Sequence, residues 1–271
     1  MRSPKELGLD NKLIKVIDAF KLSGKALKGI KLMLSDEEIQ AAQEYANTVS
    51  IVRLGFNDHG PVHMRTVALN AVIMLGLLKK AGISTTIENE KCGDFEDSLV
   101  AVIFAAMLHD IGMSLGRQDH EVHSTTLART ILERILAQVY HDDIRKSVII
   151  RSMTMEGIAG HMGNRSVSSL EAGIVQVADG CDMTKGRARI PMFLNQTPKA
   201  GHIHQYSANS IEEVKIDAGK DKPIRIVVRM SSEVGIFQVE EVLLNKIANS
   251  TAKPYIELYA QVNDEAPRQY L

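Results

Sequence analysis

The 271-residue sequence has no tryptophan, and its six tyrosines and six phenylalanines bring aromatics to only 4%. So few flat rings give no basis for the stacking platforms that hold single-stranded nucleic acid. An excess of one charge is also missing. Its 32 Lys and Arg face 33 Asp and Glu, leaving −1, so no global field favours a polyanion or an anionic membrane. Cys92 and Cys181 are the only cysteines and lie far apart. They form no metal-type pair and read as reduced thiols of a cytoplasmic protein. Met1 to Lys15 is laced with charge, so no signal peptide is expected there. The apolar stretch Leu99 to Leu108 falls well short of the ~20 residues a membrane span needs, and no membrane partner is expected. Internal repeats and low-complexity segments are absent as well. What is present is an ordinary globular composition, 45% hydrophobic and 24% charged, long enough for one large domain or a medium and a small one.

Apolar spacing around Leu13–Phe20 and Ala26–Leu34 predicts two helices. A third should open at Ser35, whose cap would be reinforced by Glu38. Pro61 sits where a first helical turn tolerates it, predicting a helix over about Val62–Lys80 that stops at Gly82. Ile83 to Phe95 reads as a loop. Asp97 to about Asp110 reads as a helix apolar nearly all round and therefore buried. Further helices are predicted at His120–Val139, Asp142–Gly157 and Ser168–Lys185, the last capped by Ser168 ahead of Glu171. From Ile211 the period shortens. Val214–Ile216 and Ile224–Met230 alternate like strands, Val239–Ile247 is helical, and Tyr255–Val262 is a further strand. The expected class is mostly α, a helical core with a small C-terminal ββαβ unit. The expected division is N-terminal helices over 1–55, a core over 56–194, a linker over Leu194–Asn209, and an α+β unit over 210–271.

Chemistry concentrates in a few short segments, each placing His or Asp on or beside a predicted helix. They begin at His63, His109-Asp110, Asp119-His120, Ala159-Gly160-His161 and Val177-Ala178-Asp179. The pair His109-Asp110 ends an otherwise apolar helix, and a carboxylate buried beside an imidazole is costly unless a cation compensates it. Mixed imidazole and carboxylate donors suit Mn, Fe, Co, Ni or Zn, whereas an all-oxygen set would favour Mg or Ca. Two such ions bridged by a carboxylate can polarise a phosphoryl oxygen and acidify a water between them.

This order resembles the HD superfamily of metal-dependent phosphohydrolases, and the resemblance covers about Asn57 to Arg189. His63 with Val67 and Ala68 is similar to the first-helix histidine, His109-Asp110-Ile111-Gly112 to the pair that names the family, and Val177-Ala178-Asp179 to its closing aspartate. His120 with Ser124, and His161, are similar to the extra histidines of two-metal members. Carried over position by position, the resemblance implies that His63, His109, Asp110 and Asp179 bind a first divalent ion. Asp110 would bridge to a second ion completed by His120 and His161, with His123 as the alternative to His120. Met113 stands where members that cleave cyclic dinucleotides carry lysine, and their GYP segment is missing, which argues against cyclic di-GMP as substrate. The single histidine at 161 argues against a third ion.

The turn residue His59 is a candidate for substrate contact or general acid. Asp182 could orient a ligand, and Lys185 one turn on could receive phosphate. Arg117, Arg187 and Arg189 are candidate phosphate contacts because a guanidinium can grip phosphate with two parallel hydrogen bonds. The implied reaction is hydrolysis of a phosphomonoester or phosphodiester in a small nucleotide-like molecule by a metal-activated hydroxide. Two other readings use the same ligands: a di-iron oxygenase of the HD type, and a non-catalytic nucleotide-sensing module. The edge of the C-terminal strands offers a route to a homo-oligomer.

Overall fold

Short-range capping chemistry sets where the helices begin. In this computed structural model, which describes residues 2–141, 143–187 and 203–271, Ser3 and Glu6 form a capping box that starts α1 at Pro4–Asp18. Helix α2 is Lys25–Ser35 and α3 is Glu37–Thr48. Ser35 is the last residue of α2 and not the cap of α3. Asp36 caps α3 by accepting from the Ile39 N–H, and its negative charge adds a favourable interaction with the helix N-terminus. A π-helical run, Val49–Arg53, prolongs α3. Helix α4 is Pro61–Lys80. The predicted loop before the central helix contains a short helix, α5 (Thr86–Asn89), because Thr85 and Glu88 form a second capping box.

Helix α6, Phe95–Leu108, is buried along its whole length and packs against α2 and α4. Each of its large apolar side chains contributes roughly 1.5–3 kcal/mol by leaving water. Helices α7 (His120–Tyr140), α8 (Ile144–Gly160) and α9 (Leu170–Cys181) complete the core. The cap of α9 is Ser169, not Ser168. Glu171 instead turns inward, where it accepts from the Thr86 and Ile87 N–H groups and the Ser98 hydroxyl. Among the described residues two helical stretches, Pro61–Lys80 and Phe95–Ser114, are long and apolar enough to cross a membrane, and both are mostly buried in this fold. Arg65 lies fully inside and donates to Asp10, Gln43, Gln40 and the Pro61 carbonyl, tying α1 and α3 to α4.

Part of the expected linker folds as α10, Ile203–Ser210; residues 194–202 lie outside the described ones. Strands β1 (Ile211–Ala218) and β2 (Ile224–Met230) pair antiparallel. Strand β3 (Ile256–Val262) pairs parallel with β2, which requires the crossover that residues 236–248 supply. This crossover is helical throughout, with a π-helical run Val239–Leu244 between Ile236–Gln238 and Asn245–Ala248. A short β4, Arg268–Gln269, extends the expected ββαβ order and closes the sheet order β1-β2-β3-β4. The sheet meets α4, the crossover meets α9, and Ile226, Val228, Leu243 and Leu258 join the same hydrophobic core as the helices. The helical bundle thus presents its ligand-bearing helix ends beneath the crossover.

Candidate metal centre

The polar residues singled out from the sequence stand at or near helix ends, where the chain can aim a side chain without breaking a helix. His63 is in the first turn of α4, His109 follows the last residue of α6, and His120 opens α7. His161 follows α8, Asp179 is in the last turn of α9, and Asp182 follows that helix. Asp110 precedes a 3₁₀ turn, Ile111–Ser114. Gly112 in that turn has no room for a side chain: a Cβ would stand 2.1 Å from the His120 carbonyl oxygen and 2.5 Å from the Ser124 nitrogen. Its N–H donates to the Ser124 hydroxyl at 2.8 Å. This close approach seats the start of α7, and with it His120, against Asp110.

Every one of the four histidines has its Nδ1 committed to an acceptor. His109 Nδ1 donates to the Ala106 carbonyl (2.8 Å), His120 Nδ1 to the Arg117 carbonyl (2.9 Å) and His161 Nδ1 to the Ile158 carbonyl (2.7 Å). His63 Nδ1 donates to Asp182 Oδ2 at 2.7 Å. With Nδ1 committed to an acceptor, Nε2 is the atom each ring leaves for a metal. These atoms converge in pairs, His63 with His109 at 3.1 Å and His120 with His161 at 3.2 Å. Two nitrogens on one ion at about 2.1 Å stand roughly 3.0–3.4 Å apart, so the pairs already have the spacing of shared ligands.

Asp110 divides its two oxygens between the pairs. Oδ2 lies 3.3 Å from His63 Nε2 and 3.2 Å from His109 Nε2, and Oδ1 lies 3.1 Å from His120 Nε2 and 3.3 Å from His161 Nε2. Asp179 Oδ1 stands 3.2 Å from His63 Nε2 and 3.8 Å from His109 Nε2, on the first pair's side. Buried groups of opposite sign face one another here. Burial opposes ionisation of Asp110, but the surrounding imidazoles outweigh it and hold its pKa well below the carboxylate range. Asp179 is held well below in the same way, against burial, by Lys246 and the nearby histidines. Burial and Arg187 oppose the charged form of His63, yet hydrogen bonds that it donates to Asp110, Asp179 and Asp182 raise its pKa to about 10. Burial outweighs the Asp110 hydrogen bond at His161 and lowers its pKa to about 4. Two pairs of imidazole nitrogens around two carboxylates form a donor set that fits a divalent transition metal.

A cavity of about 710 Å³ opens onto this cluster and is lined by Asp110, His161 and Asp179. His59, Arg117 and Arg187 also line it. His59 Nδ1 is 2.6 Å from the Asn57 carbonyl and 2.8 Å from the Ser50 hydroxyl, leaving Nε2 for the cavity. Burial pushes the His59 pKa well below the usual value. Arg117 is half-buried, with its guanidinium 6.0 Å from the Phe56 ring centre.

The other expected contacts are engaged otherwise or stand outside the cavity. Arg187 spends its guanidinium on the Asp58 carbonyl (2.9 and 2.7 Å) and the Asp182 carbonyl (2.8 Å), so it clamps the His59 turn to the end of α9. Lys185 is exposed and outside the cavity lining, because the chain leaves helical geometry at Asp182 and the one-turn spacing from Asp179 does not continue. Arg189 lies outside the described residues. His120 meets Asp110, whereas His123 belongs to none of the metal-capable groups among the described residues.

Lys246 was not foreseen from the sequence. It comes from the C-terminal crossover, forms a buried ion pair with Asp179 Oδ2, and donates to the His161 carbonyl at 2.9 Å. A signal existed: Lys246 follows Leu243 by three positions, which puts it on the helix's buried face.

The HD domain family model matches residues 62–184. An uncharacterized protein of Methanocaldococcus jannaschii is 42% identical over 247 residues, covering 89% of this chain and 93% of its own length. Ribonuclease Y of Clostridium tetani is 28% identical over 152 residues, which is 54% of this chain and 26% of that protein. Ribonuclease Y of Clostridium novyi is 25% identical over 157 residues, 55% of this chain and 28% of that protein. No solved structure matches. HD domains bind divalent metals, and the family consists largely of metal-dependent phosphohydrolases. The matched segment, the similarity extending over most of the chain and the ordered His and Asp ligands agree: the chain belongs to the HD superfamily.

Proposed function

We propose that this protein is a metal-dependent phosphohydrolase that cleaves a phosphomonoester or phosphodiester bond in a small nucleotide-like molecule. The observation that carries this reading is the division of Asp110, one oxygen toward each histidine pair. His63, His109, Asp110 and Asp179 would hold one divalent transition-metal ion, and Asp110, His120 and His161 a second. Such ions supply Lewis acidity toward a phosphoryl oxygen and lower the pKa of water at the centre.

The chain's own groups do the rest. Asp182 and the Ala106, Arg117 and Ile158 carbonyls hold each imidazole proton on Nδ1 and so fix the orientation of the rings. Arg117 offers parallel N–H donors to phosphate at the cavity wall. His59, kept neutral by burial, accepts a hydrogen bond or a proton at Nε2. Arg187 keeps the His59 turn in place through Asp58. A volume of about 710 Å³ is within the roughly 300–1,000 Å³ of small-molecule sites. The activity named for the two clostridial relatives supports including RNA phosphodiesters among the substrates tried.

The test is elemental analysis of wild type and Asp110→Ala, followed by a phosphoester panel with Mn-loaded protein that includes nucleotides and a short RNA. About two transition-metal ions per chain, lost in the variant, together with turnover of a panel member, support the reading. A loaded centre with no hydrolysis of any phosphoester would defeat it.

A further inference from the structure

Asp179 is the only candidate ligand whose second oxygen is taken by a lysine. Its Oδ1 faces the His63–His109 pair, and its Oδ2 is ion-paired with Lys246. Lys246 does not belong to the helical bundle. It comes from the crossover between β2 and β3, in the helical turn Asn245–Ala248 that follows the π-helical run Val239–Leu244. π-Helical turns are rare and concentrate at functional sites. A lysine is seldom buried this completely unless it is paired, yet its side chain is only 10% exposed. The ammonium is anchored a second time on the His161 carbonyl, so it bridges the last turn of α9 and the end of α8. Gly180 and Gly163 make room for the lysine stem: a Cβ on either would stand 3.1 Å from a Lys246 side-chain carbon.

We propose that Lys246 is a positioning residue of the metal centre, reserving Asp179 Oδ2 so that Asp179 offers a single oxygen, Oδ1, to the ion held by His63 and His109. This rests on the two-metal reading above. A carboxylate with both oxygens free can chelate one ion and fill a coordination position; the ammonium keeps that position open for water or substrate. The C-terminal unit is thereby part of the centre and not an accessory beside it. Lys246 touches the second pair only at the His161 backbone carbonyl and not at a ring nitrogen, so the ion on His120 and His161 should respond less to its loss.

The test uses Co(II) as the probe, because its visible absorption weakens as coordination number rises. Full-length wild type is titrated first; if it binds no Co(II), the two-metal reading fails and Lys246 is not at issue. Given two ions in the wild type, Lys246→Met and Lys246→Gln should still bind two, with the absorption of one ion weakened and that of the other changed less. Glu257→Gln serves as the control. Glu257 holds the Lys220, Asp221 and Lys222 N–H groups within the same unit, away from the centre, and its variant should give the wild-type spectrum. Wild-type spectra in the Lys246 variants would overturn the proposal. So would an equal change in Glu257→Gln, which would signal general loosening, or failure of both Lys246 variants to fold, which would assign the lysine to the fold alone. If only one variant folds, its spectrum decides.

Discussion

Asp182 touches no candidate ion directly, yet its carboxylate should be measurable in metal affinity. It accepts the Nδ1–H of His63 at 2.7 Å, and both side chains are almost entirely buried. Groups that orient a ligating histidine typically change metal affinity 10–100-fold when removed, which is about 1.4–2.7 kcal/mol. Asp182→Asn keeps an oxygen able to accept from Nδ1 but loses the charge, so about tenfold is expected. Asp182→Ala leaves a buried N–H without a partner, a cost of roughly 1–3 kcal/mol in itself, so about 100-fold is expected. The backbone bonds at this position, to the Asp179 carbonyl and from Arg187 Nη1, do not depend on the side chain. Isothermal titration of chelator-stripped protein with Mn(II) or Co(II) reads both sites. Only the constant of the site containing His63 should weaken; the His120–His161 site should hold its value. Both constants staying within about twofold of wild type, or both weakening alike, would refute the argument that Asp182 acts through His63.

Gly112→Ala forces a Cβ against the α7 backbone, and should cost about 3 kcal/mol in urea denaturation and displace His120, seen as loss of one bound ion. Arg117→Ala should raise KM for a phosphoester about tenfold, roughly 1.4 kcal/mol, with a smaller change in kcat; an unchanged KM would remove Arg117 from the substrate site. Asp97→Asn tests stability away from the centre. Burial opposes ionisation of Asp97, but Lys25, Lys146 and the Tyr140 hydroxyl outweigh it and lower its pKa. A depressed folded pKa means stability that is fully present above the ordinary value of 3.8 and lost as pH falls through the folded value. The variant should therefore be destabilised by about 2 kcal/mol near neutral pH, less than for fully buried pairs because the two lysines stay 24% and 23% exposed. Its deficit against wild type should shrink in acid melts below that pH. A deficit independent of pH would show that packing, not the charge, is responsible.

The legible part of this protein was local. Pro61 and the run Leu99–Leu108 act within a turn or two of chain, so the helices they mark could be read to within a few residues, whereas α1 begins at Pro4, well before the expected Leu13, because the Ser3–Glu6 box starts it. At Ser35 and Ser168 the residue expected to cap stands one position before the true cap, Asp36 and Ser169. The choice depended on which residue the next helix left extended and where Glu171 was drawn by Thr86, Ile87 and Ser98. α10 carries too weak an apolar pattern to stand out, and β4 is only two residues long.

For the centre, residue type and order by themselves determined the chemistry: imidazoles and carboxylates distributed over successive helix ends have few uses other than holding a cation. The sequence could not say which atoms meet. His120 and His123 share a helix face, and only the contact of Gly112 with the first turn of α7 puts His120 on Asp110. Lys185 follows Asp179 at helical spacing, and only the break at Asp182 turns it out to solvent. Lys246 is 67 residues from Asp179, and nothing local to either announces their ion pair. Helical periodicity fixes the face on which a side chain stands. The packing of one helix against another, which depends on the whole core, decides what that face meets.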